Sequence, residues 1–236
     1  MFGCGKGGNY TLDYMRDYTK TYIKTAKSWK LKNLTIVESD VHKLLGMDAV
    51  FELRKYFENS GMNVLYVWHK EEGIEGLYRM AEKYDYIALS VPELRIICKG
   101  KVRYQDAVKD LLQKIKSNVK KMPRIHLLGN TVMETMETNI AYSCDSTSYL
   151  AGAQFGRVMD FDDCKIKSIS IRSKEHLINR SRLKRELINE MDEVLEISKG
   201  KKETMLNYIS NVYLSARAYS LYQGYLDKNF KCIAEK

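Results

Sequence analysis

Polar side chains gather where short apolar runs of this chain stop. Leu34 to Val37 closes on Glu38 and Asp40, Val64 to Trp68 on His69, and Tyr86 to Leu89 on Ser90. Arg124-Ile-His-Leu-Leu-Gly129 contains His126 and ends in glycine, and Ile140 to Cys144 stops on Asp145, followed by Ser146 and Thr147. Such runs read as buried strands, and in barrels and doubly wound sheets the C-terminal strand ends form the rim where chemistry sits. A rim with two aspartates and two histidines suits nucleophilic or acid–base work. Each residue also has a plainer alternative. Asp145 with Ser146 and Thr147 ahead of a helix has the form of an N-cap. A single histidine at a strand end is more often a hydrogen-bonded structural group than a catalyst. Asp40, His69 and His126 could together hold a metal, but their spacing matches no short ligand motif, so no metal is expected.

The elements that must position these groups alternate. Residues 10–28 carry Tyr10, Tyr14, Tyr18, Tyr22 and Ile23 close to helical spacing. Further helices are predicted over 48–57, with Gly61 beyond the end, over 74–84, over 104–119 and near 131–138. Between them lie strands at 34–37, 64–68, 86–89, 125–128 and 140–144, with Pro92 stopping the third. Strict alternation implies parallel strands joined by right-handed crossovers. The last third differs. Leu177, Ile178, Leu187, Met191, Val194 and Leu195 make one apolar stripe over 174–198, and Met205, Ile209, Val212, Tyr213, Ala216 and Tyr219 make another over 203–227. With Gly200 between them, they predict a helical hairpin. Gly3, Gly5 and Gly8 spell GxGxxG, but the dinucleotide fingerprint needs a strand ahead of it and is rejected. Lys6 is followed by Gly7 rather than Ser or Thr, so a Walker A loop is rejected as well.

The 236 residues are 44% hydrophobic and 29% charged, a globular composition. No run of about 18 apolar residues is present to span a membrane, and the N-terminus lacks the apolar core of a secretory signal. A cytoplasmic location with no membrane partner is expected. Five cysteines without a CxxC pair fit a reducing compartment rather than a disulfide framework or a zinc knuckle. The formal net charge of +9 favours a polyanionic partner, against the plainer alternative of a lysine-rich solvated surface. Phosphate binding needs neighbouring cations, and two clusters offer them, one ahead of the 125–128 strand and one on the 174–198 helix. Lys120, Lys121, Arg157, Arg180, Arg182 and Arg185 are the candidate nucleic-acid contacts.

The order VESD, VWH, YIALS, IHLLG and SCDSTSY resembles the tRNA-guanine transglycosylase superfamily, above all its short phage-type branch, whose better-studied relatives exchange guanine for 7-deazaguanines in DNA. The resemblance implies a (β/α)8 TIM-barrel-like domain over 1–172, incomplete at its N-terminus, with the helical hairpin of 173–236 packed on it. It implies a pentosyltransferase that exchanges guanine for a 7-deazaguanine of the queuosine type in DNA or tRNA, without a cofactor, in the cytoplasm (the host's, if phage-encoded). Asp145 then matches the aspartate that attacks C1′ of the target nucleoside to give a covalent intermediate. Asp40 matches the aspartate that recognises the purine, while His69, Ser90 and Ser146 fall among the substrate contacts. His126 and Gly129 shape the same pocket. Three departures accompany the resemblance. The Asp-Ser-Gly motif that supplies a second catalytic carboxylate has no match, Ser90 stands where many relatives carry glycines, and the cysteine-rich zinc site is missing, so zinc is not expected. Two explanations of the first are open: an N-terminally truncated reading of a longer gene, which is simpler, or a second copy or partner chain that completes the barrel. An alternative function follows from the missing carboxylate, namely a non-catalytic nucleic-acid-binding or accessory subunit.

Overall fold

The apolar runs become neighbouring strands. In the computed structural model, which describes residues 10–98, 102–174, 176–178, 181 and 202–235, strands β1 (Thr35–Val37), β2 (Asn63–Trp68), β3 (Tyr86–Ser90), β4 (Arg124–Leu128) and β5 (Ser143–Cys144) form one sheet in sequential order. β1 to β4 pair in parallel, with Ile36 opposite Val64, Val67 opposite Ala88 and Ile87 opposite Ile125. The protein is thus α/β, with a parallel sheet curled like half a barrel. Parallel strands covered on both faces read as unbroken apolar runs, and Val64 to Trp68 and Ile87 to Leu89 are all buried. The chain divides into two units, the first built on residues up to Leu128 with Ile140–Ser143, the second on Gly129–Asn139 with Cys144–Glu235.

In the first unit, α1 (Leu12–Ser28) begins at Thr11, whose hydroxyl accepts the Tyr14 N–H at 3.2 Å. It buries Met15, Thr19, Ile23 and Ala26, the three- and four-residue spacing of one helix face. The predicted tyrosine stripe lies to the side of that face. Tyr14, Tyr18 and Tyr22 stack as a ladder at 6.5 and 6.3 Å that ends against Phe57. α2 (His42–Glu58) is interrupted at Gly46, whose φ of 81° and ψ of 176° are closed to residues with a Cβ. A single turn, His42–Leu45, is thereby set apart from the helix proper, which corresponds to the one predicted over 48–57. α3 (Gly73–Lys83), α4 (Val91–Ile97) and α5 (Tyr104–Asn118) follow. α4 is unexpected. Pro92 was read as a stop, but proline in a first turn has no needed N–H to lose, and Ser90 Oγ accepts the Glu93 N–H at 3.4 Å to start the helix.

The second unit holds α6 (Met133–Met136), α7 (Ser148–Gln154), the antiparallel pair β6 (Arg157–Asp162) and β7 (Lys165–Ser170), and α8 (Lys202–Asn229). The β6–β7 hairpin, to which no element was assigned from sequence, turns through Asp163 and Cys164, both left-handed with φ of 48° and 59°. That is the two-residue turn whose twist matches paired strands. α8 packs on β6 and α7. Its buried face is not the predicted apolar stripe. Ser210, Asn211, Ser215, Ala218 and Tyr222 point inward, while Tyr213 is exposed. Ser215 Oγ accepts the Met159 N–H at 3.0 Å, and Asn211 Oδ1 meets His176 Nε2 at 2.9 Å. In the other arm of the predicted hairpin, Leu177 and Ile178 are exposed, and Leu187, Met191, Val194 and Leu195 lie outside the described residues, as do Gly3, Gly5 and Gly8. Among the described residues no helix is long and apolar enough to cross a membrane.

One buried cation joins the ends of β1 and β2. Arg54 of α2 donates to both oxygens of Glu38 at 2.8 and 3.0 Å, to Glu72 at 3.0 and 3.2 Å, and to the Val67 carbonyl at 3.2 Å. Glu38 in turn accepts the Val67 N–H at 2.6 Å. Burial pushes the Glu38 carboxyl up from 4.5 to about 7, against the hydrogen bonds and charge of Arg54. A carboxyl that holds its proton more tightly when folded favours the fold below 4.5 and loses that contribution as pH rises through about 7. Arg54→Met is therefore expected to lower stability by about 3–5 kcal/mol at about pH 8, where a buried carboxylate loses its partner, and by less at about pH 5, where Glu38 takes a proton. Urea melts at the two pH values check this; equal losses would show that Glu38 stays charged throughout.

Candidate functional site

Asp145 follows β5 directly and is exposed to solvent. Its Oδ1 accepts the Gly129 N–H at 2.8 Å, and Gly129 has a φ of 64°, a conformation that aims this N–H and that β-carbon-bearing residues avoid. Ser146 stands at the start of α7, where its Oγ accepts the Ser148 N–H at 3.2 Å. Gly129, Asp145 and Ser146, three of the residues singled out from sequence, are thus brought together within the second unit. Beside them opens a cavity of about 330 Å³ lined by Asp145, Ser146, Cys144, Tyr149, Tyr219 and Tyr222, together with Thr131, Met136 and Leu226. The tyrosines of α8 were not foreseen as site residues, because their spacing reads as ordinary helix packing. Tyr222 donates its hydroxyl hydrogen to Glu137 at 2.7 Å. Burial, then the Asp145 charge, pushes the Cys144 thiol up to about 11, so the thiol keeps its proton at neutral pH.

The first unit holds a second polar cluster. Asp40 Oδ1 and His42 Nδ1 lie 2.6 Å apart. The His42 and His69 rings are 4.1 Å apart, centroid to centroid. His69 is 1% exposed, and its backbone N–H donates to Glu72 at 3.3 Å. Burial, then the neighbouring His42, holds the His69 imidazole below its ordinary value. Glu93, at the start of α4, is 8% exposed, with Oε1 3.5 Å from His42 Nε2. His42 and Glu93 were not singled out from sequence. The visible signal for His42 was its place two residues after Asp40 in VESDVH; Glu93 sits in the helix that Pro92 concealed.

No family model, no curated protein and no solved structure matches this chain. Ser90 caps α4 as described above. His126 Nδ1 lies 2.7 Å from Ser143 Oγ, which in turn meets the Tyr86 hydroxyl at 2.6 Å. Lys121 pairs with Asp85 at 2.8 Å, and Arg157 donates to Ser168 Oγ and to the Ser168 carbonyl at 2.6 and 2.9 Å, so both have local partners. Lys120 is exposed, and Arg180, Arg182 and Arg185 lie outside the described residues. A basic feature that no sequence cluster marked runs along α1 and α2. Lys20, Lys24, Lys27 and Lys55 line a groove of about 680 Å³ with Tyr56, and Glu52, the lone acid of the lining, bonds to Arg16.

Gly129→Ala tests the backbone support of Asp145. The left-handed conformation is expected to cost about 1–2 kcal/mol in a residue with a Cβ, read as a lower urea midpoint. An unchanged midpoint would show that the turn holding Asp145 relaxes without loss.

Proposed function

We propose that this chain is a base-exchanging pentosyltransferase acting on guanine in DNA or tRNA, with Asp145 as nucleophile. The observation that carries this reading is an exposed carboxylate, oriented by a backbone N–H, at the wall of an aromatic-lined cavity. At about 330 Å³ the cavity lies at the small end of ligand sites, which run from about 300 to 1,000 Å³. Tyrosine rings suit a flat base, since every base has a π-face on which to stack. The order of motifs from VESD to SCDSTSY supports the same reading, and the half-barrel curl of the sheet supports placing it within a (β/α)8 architecture.

The chemistry follows from the carboxylate. An Asp145 oxygen bonds to C1′ through an oxocarbenium-like transition state as the C1′–N9 bond breaks. The departing guanine takes the bonding electrons and a proton from solvent. An incoming 7-deazaguanine, losing its own N–H proton to solvent, then attacks C1′ and releases the Asp145 carboxylate. The target nucleotide must leave its stack to reach such a site. Cytoplasmic nucleic acid is the partner that the net charge of +9 and the α1–α2 lysines best suit. Those lysines also favour the second reading, an accessory subunit that binds nucleic acid without exchanging bases.

Asp145→Asn is expected to reduce incorporation of labelled guanine by on the order of 10⁴ or more and to abolish a denaturant-stable adduct between chain and nucleic acid. Undiminished exchange in this variant would remove Asp145 from the chemistry, and a wild-type chain that binds but never exchanges would leave the accessory reading. Lys24→Glu with Lys27→Glu is expected to weaken binding and to flatten its salt dependence by about 0.9 in log–log slope for each duplex phosphate no longer neutralised. Fluorescence anisotropy across a salt series reads both; an identical slope would place the polyanion elsewhere.

A further inference from the structure

The cluster around His42 has more coordinating capacity than hydrogen-bond partners. A carboxylate accepts, so the contact between Asp40 Oδ1 and His42 Nδ1 at 2.6 Å places the His42 proton on Nδ1 and the bare lone pair on Nε2. His42 Nε2 is buried and has no hydrogen-bond partner. His69 Nε2 is buried and without a partner too, on a residue 1% exposed. Buried polar atoms are nearly always satisfied, so the orphaned His42 nitrogen points to a partner that belongs beside it. Glu93 brings a carboxylate donor, its Oε1 3.5 Å from His42 Nε2. The donor atoms of His42, Glu71 and Glu93 lie within 4.8 Å of one another, as do those of Asp40, His42 and His69.

We propose that His42 Nε2 and the carboxylates of Glu71 and Glu93 bind a divalent transition metal of the zinc class. An imidazole with two carboxylates suits zinc and its neighbours, whereas magnesium and calcium prefer oxygen alone. Asp40 then plays the part of the carboxylate that fixes a ligand histidine's tautomer and ring. Glu71 reaches the site from its exposed edge, and a water takes the fourth position. Lys43 Nζ lies 3.5 Å from the same Glu93 oxygen, but its side chain is 62% exposed and can swing away. The site goes beyond the exchange reading and does not rest on it, since Asp145 takes no part.

The test uses the untagged full chain, stripped with EDTA and titrated with Co²⁺. Saturable binding of one ion per chain is expected, displaced by Zn²⁺. Of the four histidines, the imidazole NMR signals of His42 and of neighbouring His69 should shift or vanish with paramagnetic Co²⁺, while those of His126 and His176 stay. His42→Ala should abolish binding, Glu93→Gln should weaken it while leaving the His42 imidazole in place, and Asp40→Asn should weaken it about 10–100-fold. The NMR readout needs no variant, so a misfolded substitution does not blunt the test. Absence of saturable binding, binding unchanged in His42→Ala, or perturbation of His126 and His176 instead would overturn the proposal. Guanine exchange is not the readout, so the fate of Asp145 leaves this outcome unaffected.

Discussion

The first unit depends on a guanidinium that is almost wholly buried. Arg54 spans Glu38 at the end of β1, the Val67 carbonyl in β2 and Glu72 in the turn after β2. Each of these groups would be expensive to bury alone, and together they satisfy one another. The consequence is positional. Asp40 lies two residues beyond Glu38, and His69 lies between Val67 and Glu72, with its N–H bound to Glu72. The planar fork of arginine, which a lysine could not reproduce, therefore sets where two candidate site residues stand.

The same unit shows how a small backbone choice serves chemistry. Gly46 breaks α2 and leaves His42–Leu45 as a separate turn, held by Leu44 and Leu45 N–H groups on the Val41 carbonyl, each at 2.9 Å. An unbroken helix would carry His42 on a different course. Instead its ring lies against that of His69 with Asp40 behind it. The second unit solves a similar problem with Gly129, whose left-handed φ points an N–H at Asp145. In both places a glycine supplies the direction and an acidic side chain supplies the charge.

Much of the first unit was legible because parallel strands advertise themselves as apolar runs and the helices between them carry regular faces. The strand ends at Glu38, His69, Ser90 and Asp145 were visible for the same reason. What was hidden has physical causes. Arg54 looks in sequence like any cation on a solvated helix face, because burial of a charge leaves no mark on its neighbours' types. α4 was concealed by Pro92, which stops a strand and starts a helix equally well. The β6–β7 hairpin alternates charged and apolar residues and turns through Asp163-Cys164 rather than a glycine pair. α8 buries serines and an asparagine, since backbone N–H groups and His176 need acceptors there, so an apolar stripe pointed to the wrong face. His42 and His69, 27 residues apart in sequence, meet only through the β1–β2 pairing.

Strand order has a bearing on how the chain assembles. Each strand of the main sheet lies beside its neighbour in sequence, so no strand waits for a partner from the far end of the chain. Loop-closure entropy grows only slowly with length, and here it is met in short instalments, one crossover at a time. A chain emerging from the ribosome N-terminus first finds each new strand's docking edge already formed. Arg54 emerges between β1 and β2, so its lock can close as soon as the second strand arrives, before the rest of the sheet exists.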